Sequence, residues 1–126
     1  MEFIIVDDSV FDLFTQEKLL SKSGLASKVI SFGAPQEALD YLFAQHETMP
    51  ETIVLLDIQM PELNGFQFME QFARIPEQVR SRIRIFMISS TVDPWDIAEA
   101  AANPHIVTLL SKPLDIPVLR TLLEKD

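Results

Sequence analysis

The chain of 126 residues contains no cysteine, which excludes disulfide scaffolding, thiolate metal sites and a cysteine nucleophile together. It has only three glycines and no Gly-x-Gly-x-x-Gly, the phosphate loop that a dinucleotide binder would need. Basic side chains are scarce as well. Ten against 19 acidic ones leave a formal charge of −9, which repels a phosphate backbone and argues against direct nucleic-acid binding. Long apolar runs are missing too. The N-terminal run, Phe3 to Val6, stops at Asp7 and Asp8, far short of a signal h-region or a membrane span. No membrane insertion is expected, and a cytoplasmic location is. There is no internal repeat, low-complexity tract or linker.

What is present suits a globular fold. Hydrophobic residues make up 48% of the chain, far from the low-hydrophobicity, high-charge signature of disorder. A length of 126 residues fits one compact domain, 1–126, burying about two-thirds of the surface its unfolded form would expose. Five short runs rich in β-branched residues read as strands: Phe3 to Val6, Lys28 to Phe32, Ile53 to Leu56, Ile83 to Ile88 and Ile106 to Leu110. None alternates cleanly between apolar and polar, and the first, third and fourth are almost wholly apolar, as in a parallel sheet covered on both faces.

Helix signals fill the intervals. Val10, Phe11, Leu13 and Phe14 precede a polar gap, Thr15 to Lys18, then Leu19 and Leu20, with Gly24 as the stop. Pro35 starts a second helix carrying Ala38, Tyr41 and Leu42 on one face. Phe66, Met69, Phe72 and Ala73 form a helical stripe after Asn64-Gly65. Asp93-Pro94 caps a fourth helix with Ile97, Ala98 and Ala101, and Asp115 caps a fifth in which Val118, Leu119 and Leu122 face inward. Five strand-helix alternations predict an α/β, doubly wound, five-stranded parallel sheet with right-handed crossovers.

In such sheets ligands bind beyond the carboxyl ends of the strands. There the chain places Asp7-Asp8, Asp57, Ser89-Ser90-Thr91 and Ser111-Lys112-Pro113. Three carboxylates so gathered repel, each pair by about 4 kcal/mol at 4 Å and an effective dielectric near 20. Lys112 offers one positive charge. A hard divalent cation would neutralise the excess, and Mg²⁺ fits because it takes one or two carboxylates plus phosphate and water, with Mn²⁺ as the alternative. A carboxylate beside such a cation, a lysine and a hydroxyl is equipped to attack phosphorus and become an aspartyl phosphate. Asp57 is the nucleophile candidate, alone at the end of the central strand, whereas Asp7 and Asp8 can share the metal. Each acid also has a plain structural role as a turn or cap residue, and their joint placement at strand ends decides against it.

These residues in this order resemble the receiver domain of two-component response regulators, over essentially the whole chain. Asp7-Asp8, Asp57 with Met60-Pro61 and Asn64-Gly65, Ser89, and Lys112-Pro113 carry the resemblance. It implies a flavodoxin-like (βα)5 fold with strand order 2-1-3-4-5. It further implies that Asp57 accepts a phosphoryl group from a sensor histidine kinase or a histidine phosphotransfer protein. Asp8 would be the direct metal ligand, Asp7 would act mainly through water, and the Gln59 backbone carbonyl would complete the protein's share. Ser89 and Lys112 would hold phosphoryl oxygens, and the Lys112-Pro113 bond is expected to be cis. Phosphorylation would rearrange the face of the fourth helix, fifth strand and fifth helix, where an unknown downstream protein docks. Members of the family often carry an aromatic residue where this chain has Leu109, and Ser89 stands where threonine is commoner. Gln59 and Thr91 occupy positions that tune dephosphorylation in relatives.

A Mg²⁺-dependent phosphohydrolase of the haloacid-dehalogenase kind is the competing reading, but it expects Asp-x-Asp on the first strand and a cap domain. A flavin or dinucleotide binder is the third; Asp7-Asp8-Ser9 would repel its phosphate. His46 and His105 lack metal-ligand spacing and read as surface residues. Trp95 either packs on a helix start or lies exposed at the rim. Because Asp126 closely follows the fifth helix, the expectation is a stand-alone receiver or a phosphorelay intermediate, self-phosphorylating and self-dephosphorylating rather than an enzyme.

Overall fold

The computed structural model describes residues 1–124, so the last two positions of the expected 1–126 domain lie outside the described residues. The strands are β1 (Glu2–Val6), β2 (Lys28–Phe32), β3 (Thr52–Asp57), β4 (Ile83–Ser89) and β5 (Ile106–Ser111). They form one sheet in the order β2-β1-β3-β4-β5, every pair parallel. Interleaved are α1 (Val10–Ser23), α2 (Pro35–Phe43), α3 (Gly65–Phe72), α4 (Glu77–Arg80), α5 (Pro94–Ala102) and α6 (Ile116–Glu124). The fold is therefore the flavodoxin-like one: the strand-helix alternation predicted its parallel, doubly wound sheet, and the resemblance implied its strand order.

The apolar runs lack visible alternation because both faces of the sheet are covered. In β1, Ile4 and Val6 enter one core with Val54, Leu56, Phe68, Phe72 and Met87, while Phe3 and Ile5 enter the other with Leu20, Leu55, Phe86 and Leu119. Successive side chains on a strand point to opposite faces, so a continuous hydrophobic run is split evenly between the two layers. All six residues of β3 are buried, which makes it the most enclosed strand.

The helix starts follow their caps. Ser9 accepts from the Asp12 N–H, Asp93 from the Asp96 N–H, and Asn64 and Gln67 exchange side-chain and backbone bonds in a capping box. Gly24 ends α1 in the left-handed region at φ 77°.

Several details depart from the sequence reading, among them Ala73, which lies exposed just past the end of α3. The single-turn α4 goes unforeseen: with Pro76 before it and only Val79 buried, it is too short to show a period. It shifts the helix numbering, so the fourth and fifth helices of the sequence reading are α5 and α6. Val118 is exposed rather than inward, and Leu119 and Leu122 with Ile116 supply the inner contact of α6. On α5 only Ala100 is buried; Ile97, Ala98 and Ala101 face out. Among the described residues no helix is long and apolar enough to cross a membrane.

Candidate functional site

Two strands that are neighbours in the sheet, β1 and β3, run parallel with Val6 opposite Leu56, so Asp7 and Asp57 emerge side by side. One carboxylate oxygen from each of Asp7, Asp8 and Asp57 falls within 4.8 Å of the others. Asp7 and Asp57 are 1% and 5% exposed, while Asp8 is open to solvent. Lys112, delivered from the end of β5, reaches across β4 and places its Nζ 2.8 Å from Asp7 Oδ2 and 3.6 Å from Asp57 Oδ2. The backbone on both sides is fixed: the Ile58 N–H donates to the Ile88 carbonyl and the Lys112 N–H to the Ser89 carbonyl. The Lys112-Pro113 bond is cis.

Behind Asp57 the chain turns tightly into α3. The Gly65 N–H donates to the Ile58 carbonyl at 2.9 Å, and a Cβ at position 65 would lie 2.9 Å from Ile58 Cα and 3.1 Å from the Asp57 carbonyl oxygen. Space, not backbone torsion, requires glycine here.

The electrostatics are those of a cluster short of positive charge. Burial, and next the charge of Asp7, push the Asp57 carboxyl up from its ordinary 3.8 to about 6, against the opposing pull of Lys112 and the Gln59 N–H. Burial by itself would lower the Lys112 ammonium, but hydrogen bonds to Asp12 and Asp7 and the charge of Asp57 outweigh it and raise its pKa.

Gln59 donates its backbone N–H to Asp57 Oδ1 at 3.2 Å. Ser89 is fully buried at the end of β4, and its hydroxyl is engaged within its own loop, donating to the Thr91 carbonyl at 2.6 Å and accepting from the Thr91 N–H. Leu109 is half-buried and packs against the first core cluster. Trp95 is 84% exposed, as one of its two expected placements had it. His46 is exposed, but His105 is partly enclosed: its ring meets Arg80 Nη1 at 3.2 Å and packs edge-on against Phe72.

Two members of the cluster escaped the sequence reading. Asp12, in the first turn of α1, accepts a second bond from Lys112 Nζ at 2.8 Å. Gln16, buried one turn later, donates from Nε2 to Asp7 Oδ2 at 3.2 Å. The signal was there: positions 12 and 16 share a helix face, and Gln16 lies in the polar gap that interrupts the apolar pattern of α1.

The oxygen-only donor set, with two buried carboxylates, one exposed one and a single ammonium, fits a hard divalent cation such as Mg²⁺. No thiolate or imidazole lies among the clustered donors, so softer metals have nothing to prefer.

Comparison with known proteins agrees with this geometry. Residues 3–124 match the response regulator receiver domain family. A response regulator receiver protein from Dyadobacter fermentans DSM 18053 is 61% identical, with a TM-score of 0.94 over 98% of this chain and 95% of its own. A two-component response regulator from Cytophaga hutchinsonii is 25% identical, with a TM-score of 0.85 over 97% and 92%. The cyclic di-GMP phosphodiesterase response regulator RpfG of Xanthomonas campestris is 27% identical over 90% of this chain, which spans only 28% of that relative's length. From its first strand to its last helix, this chain belongs to the response regulator receiver domain family.

Proposed function

We propose that the protein is a phosphorylation-controlled module of a two-component system, acting as one receiver domain over 1–126, in which Asp57 is the phosphoacceptor. The observation that carries this is the meeting of Asp57, at the tip of the buried central strand, with two further carboxylates and the Lys112 ammonium. The strand and the Gly65 contact hold Asp57 in one position, and positioning supplies most of the catalysis in a transfer that asks little covalent chemistry of the protein.

In the transfer a carboxylate oxygen of Asp57 forms a bond to phosphorus. The bond from phosphorus to the donor, a phosphohistidine or a small acyl phosphate, breaks, and the donor leaves with the electron pair. Lys112 donates to one phosphoryl oxygen. Ser89 donates to another after its hydroxyl turns away from Thr91. Asp8 and Asp57, with the Gln59 carbonyl, would hold Mg²⁺ directly and Asp7 would hold it through water, with Mn²⁺ as a substitute. The cation supplies neutralisation of the charge on the phosphoryl oxygens.

The phosphoryl donor is a sensor histidine kinase or a histidine phosphotransfer protein, and the protein works in the cytoplasm. Release of Ser89 from its loop favours a second state in which the face of α5, β5 and α6 binds a downstream protein. Turnover is confined to the protein's own phosphoryl group.

Incubation with Mg²⁺ and acetyl phosphate, followed by intact mass, tests the reading. One added phosphoryl group is expected, lost on chelation and in Asp57→Asn. Labelling of Asp57→Asn at the wild-type level would move the nucleophile elsewhere.

A further inference from the structure

We propose that Asp12 is a positioning residue that competes with a phosphoryl group on Asp57 for the Lys112 ammonium, and so sets how tightly that group is held. The inference rests on Asp57 as phosphoacceptor. Lys112 has three N–H donors. Two are committed, to Asp7 Oδ2 and Asp12 Oδ2, both at 2.8 Å, and at 3.6 Å from Asp57 Oδ2 the ammonium is beyond hydrogen-bond reach of the acceptor. It is thus drawn toward α1.

The two tethers differ in how readily they yield. Asp7 is buried and held in addition by the Ser9 N–H at 2.9 Å and by Gln16, so its carboxylate cannot move off. The Asp12 side chain is 32% exposed and borders a cavity of about 250 Å³ that Phe11, Ser90 and Lys112 also line. Released from Lys112, its carboxylate regains water there, which keeps the cost of release small. Asp12 is the tether that gives way when Lys112 swings to a phosphoryl oxygen. Its carboxylate makes a charge-assisted bond, roughly twice as strong as the bond an amide would make in its place. With that charge removed, the phosphoryl group faces a weaker competitor for Lys112.

Calorimetric titration with beryllofluoride, a phosphoryl mimic, at saturating Mg²⁺ tests this. Asp12→Asn is expected to tighten binding by about threefold to tenfold, the range for exchanging a charged for a neutral partner at a partly exposed site. Asp12→Ser should do the same, and Asp12→Glu should restore wild-type affinity. The ratio between Asp12→Asn and wild type should persist at about 1 M salt, where the Debye length is about 3 Å. Unchanged or weaker binding in Asp12→Asn overturns the proposal, as does a ratio that collapses at high salt, which would make Asp12 a diffuse charge only. Asp57→Asn separates the two levels. If it binds the mimic like wild type, or if wild type does not bind, the phosphoacceptor reading fails and this one with it. If binding needs Asp57 but ignores Asp12, only the tether fails.

Discussion

Asp57 keeps its proton to a higher pH in the folded chain than in the unfolded one, with a pKa near 6 against an ordinary 3.8. Because the folded state binds more protons between these values, the contribution of this group to stability is greatest below about pH 4 and falls as pH rises through 6. At about 1.4 kcal/mol per pK unit the loss amounts to roughly 3 kcal/mol at neutral pH without a metal. Asp57→Asn removes the charge and should raise the urea midpoint in metal-free buffer at pH 7.5, by an amount equivalent to about 1–3 kcal/mol, and change it little at pH 4. A variant no more stable than wild type at pH 7.5 would show that the charge is not strained. At this scale the sequence disclosed the strand-end acids and Lys112, because they follow directly on apolar runs. It did not disclose Asp12 or Gln16, which sit on a helix where an acid in the first turn is already explained by the helix dipole.

The elements were legible to the degree that their patterns exceed one turn and face one core. The strands come out within one or two residues; α2 buries Ala38 and Leu42 as expected and α3 buries Met69 and Phe72, but α3 also buries Phe68, which the stripe had left out, and Ala73 is exposed. The stripe of α1 is blurred for a physical reason. Its inward position beside the acids must be polar, so Gln16 stands where an apolar residue would keep the period, while Phe11 and Phe14 face solvent. In α5 the alanines fill outward positions, and a small side chain discloses little about which way it points. With only Ala100 buried, α5 is thinly anchored, against four buried residues in α2 of the same length. Local opening should be correspondingly easy. Hydrogen exchange should show the amides of α5 exchanging at least about tenfold faster than those of α2, a gap of about 1.4 kcal/mol in opening free energy. Equal protection in the two helices would contradict this.

For the whole molecule, the alternation of strands and helices was enough to fix a parallel, doubly wound sheet, and the rule that ligands lie beyond strand carboxyl ends was enough to say where to look. Strand order was another matter. Local patterning does not reveal which strands neighbour one another, and the order β2-β1-β3-β4-β5 followed from resemblance. That order makes the site: it sets β1 against β3, so acids far apart in the chain converge, and it leaves β4 and β5 to bring Ser89 and Lys112 to the same edge. The account stands on Asp57 being the residue that takes the phosphoryl group in that convergence. Peptide mapping after incubation with acetyl phosphate, with and without Mg²⁺, locates the group directly. Cleavage after Lys28 and Arg74 places Asp57 on a different peptide from Asp7, Asp8 and Asp12. The account predicts a Mg²⁺-dependent phosphoryl group on the peptide from Val29 to Arg74, at Asp57. A group found on the N-terminal peptide, or one that forms equally well in chelator, would contradict it.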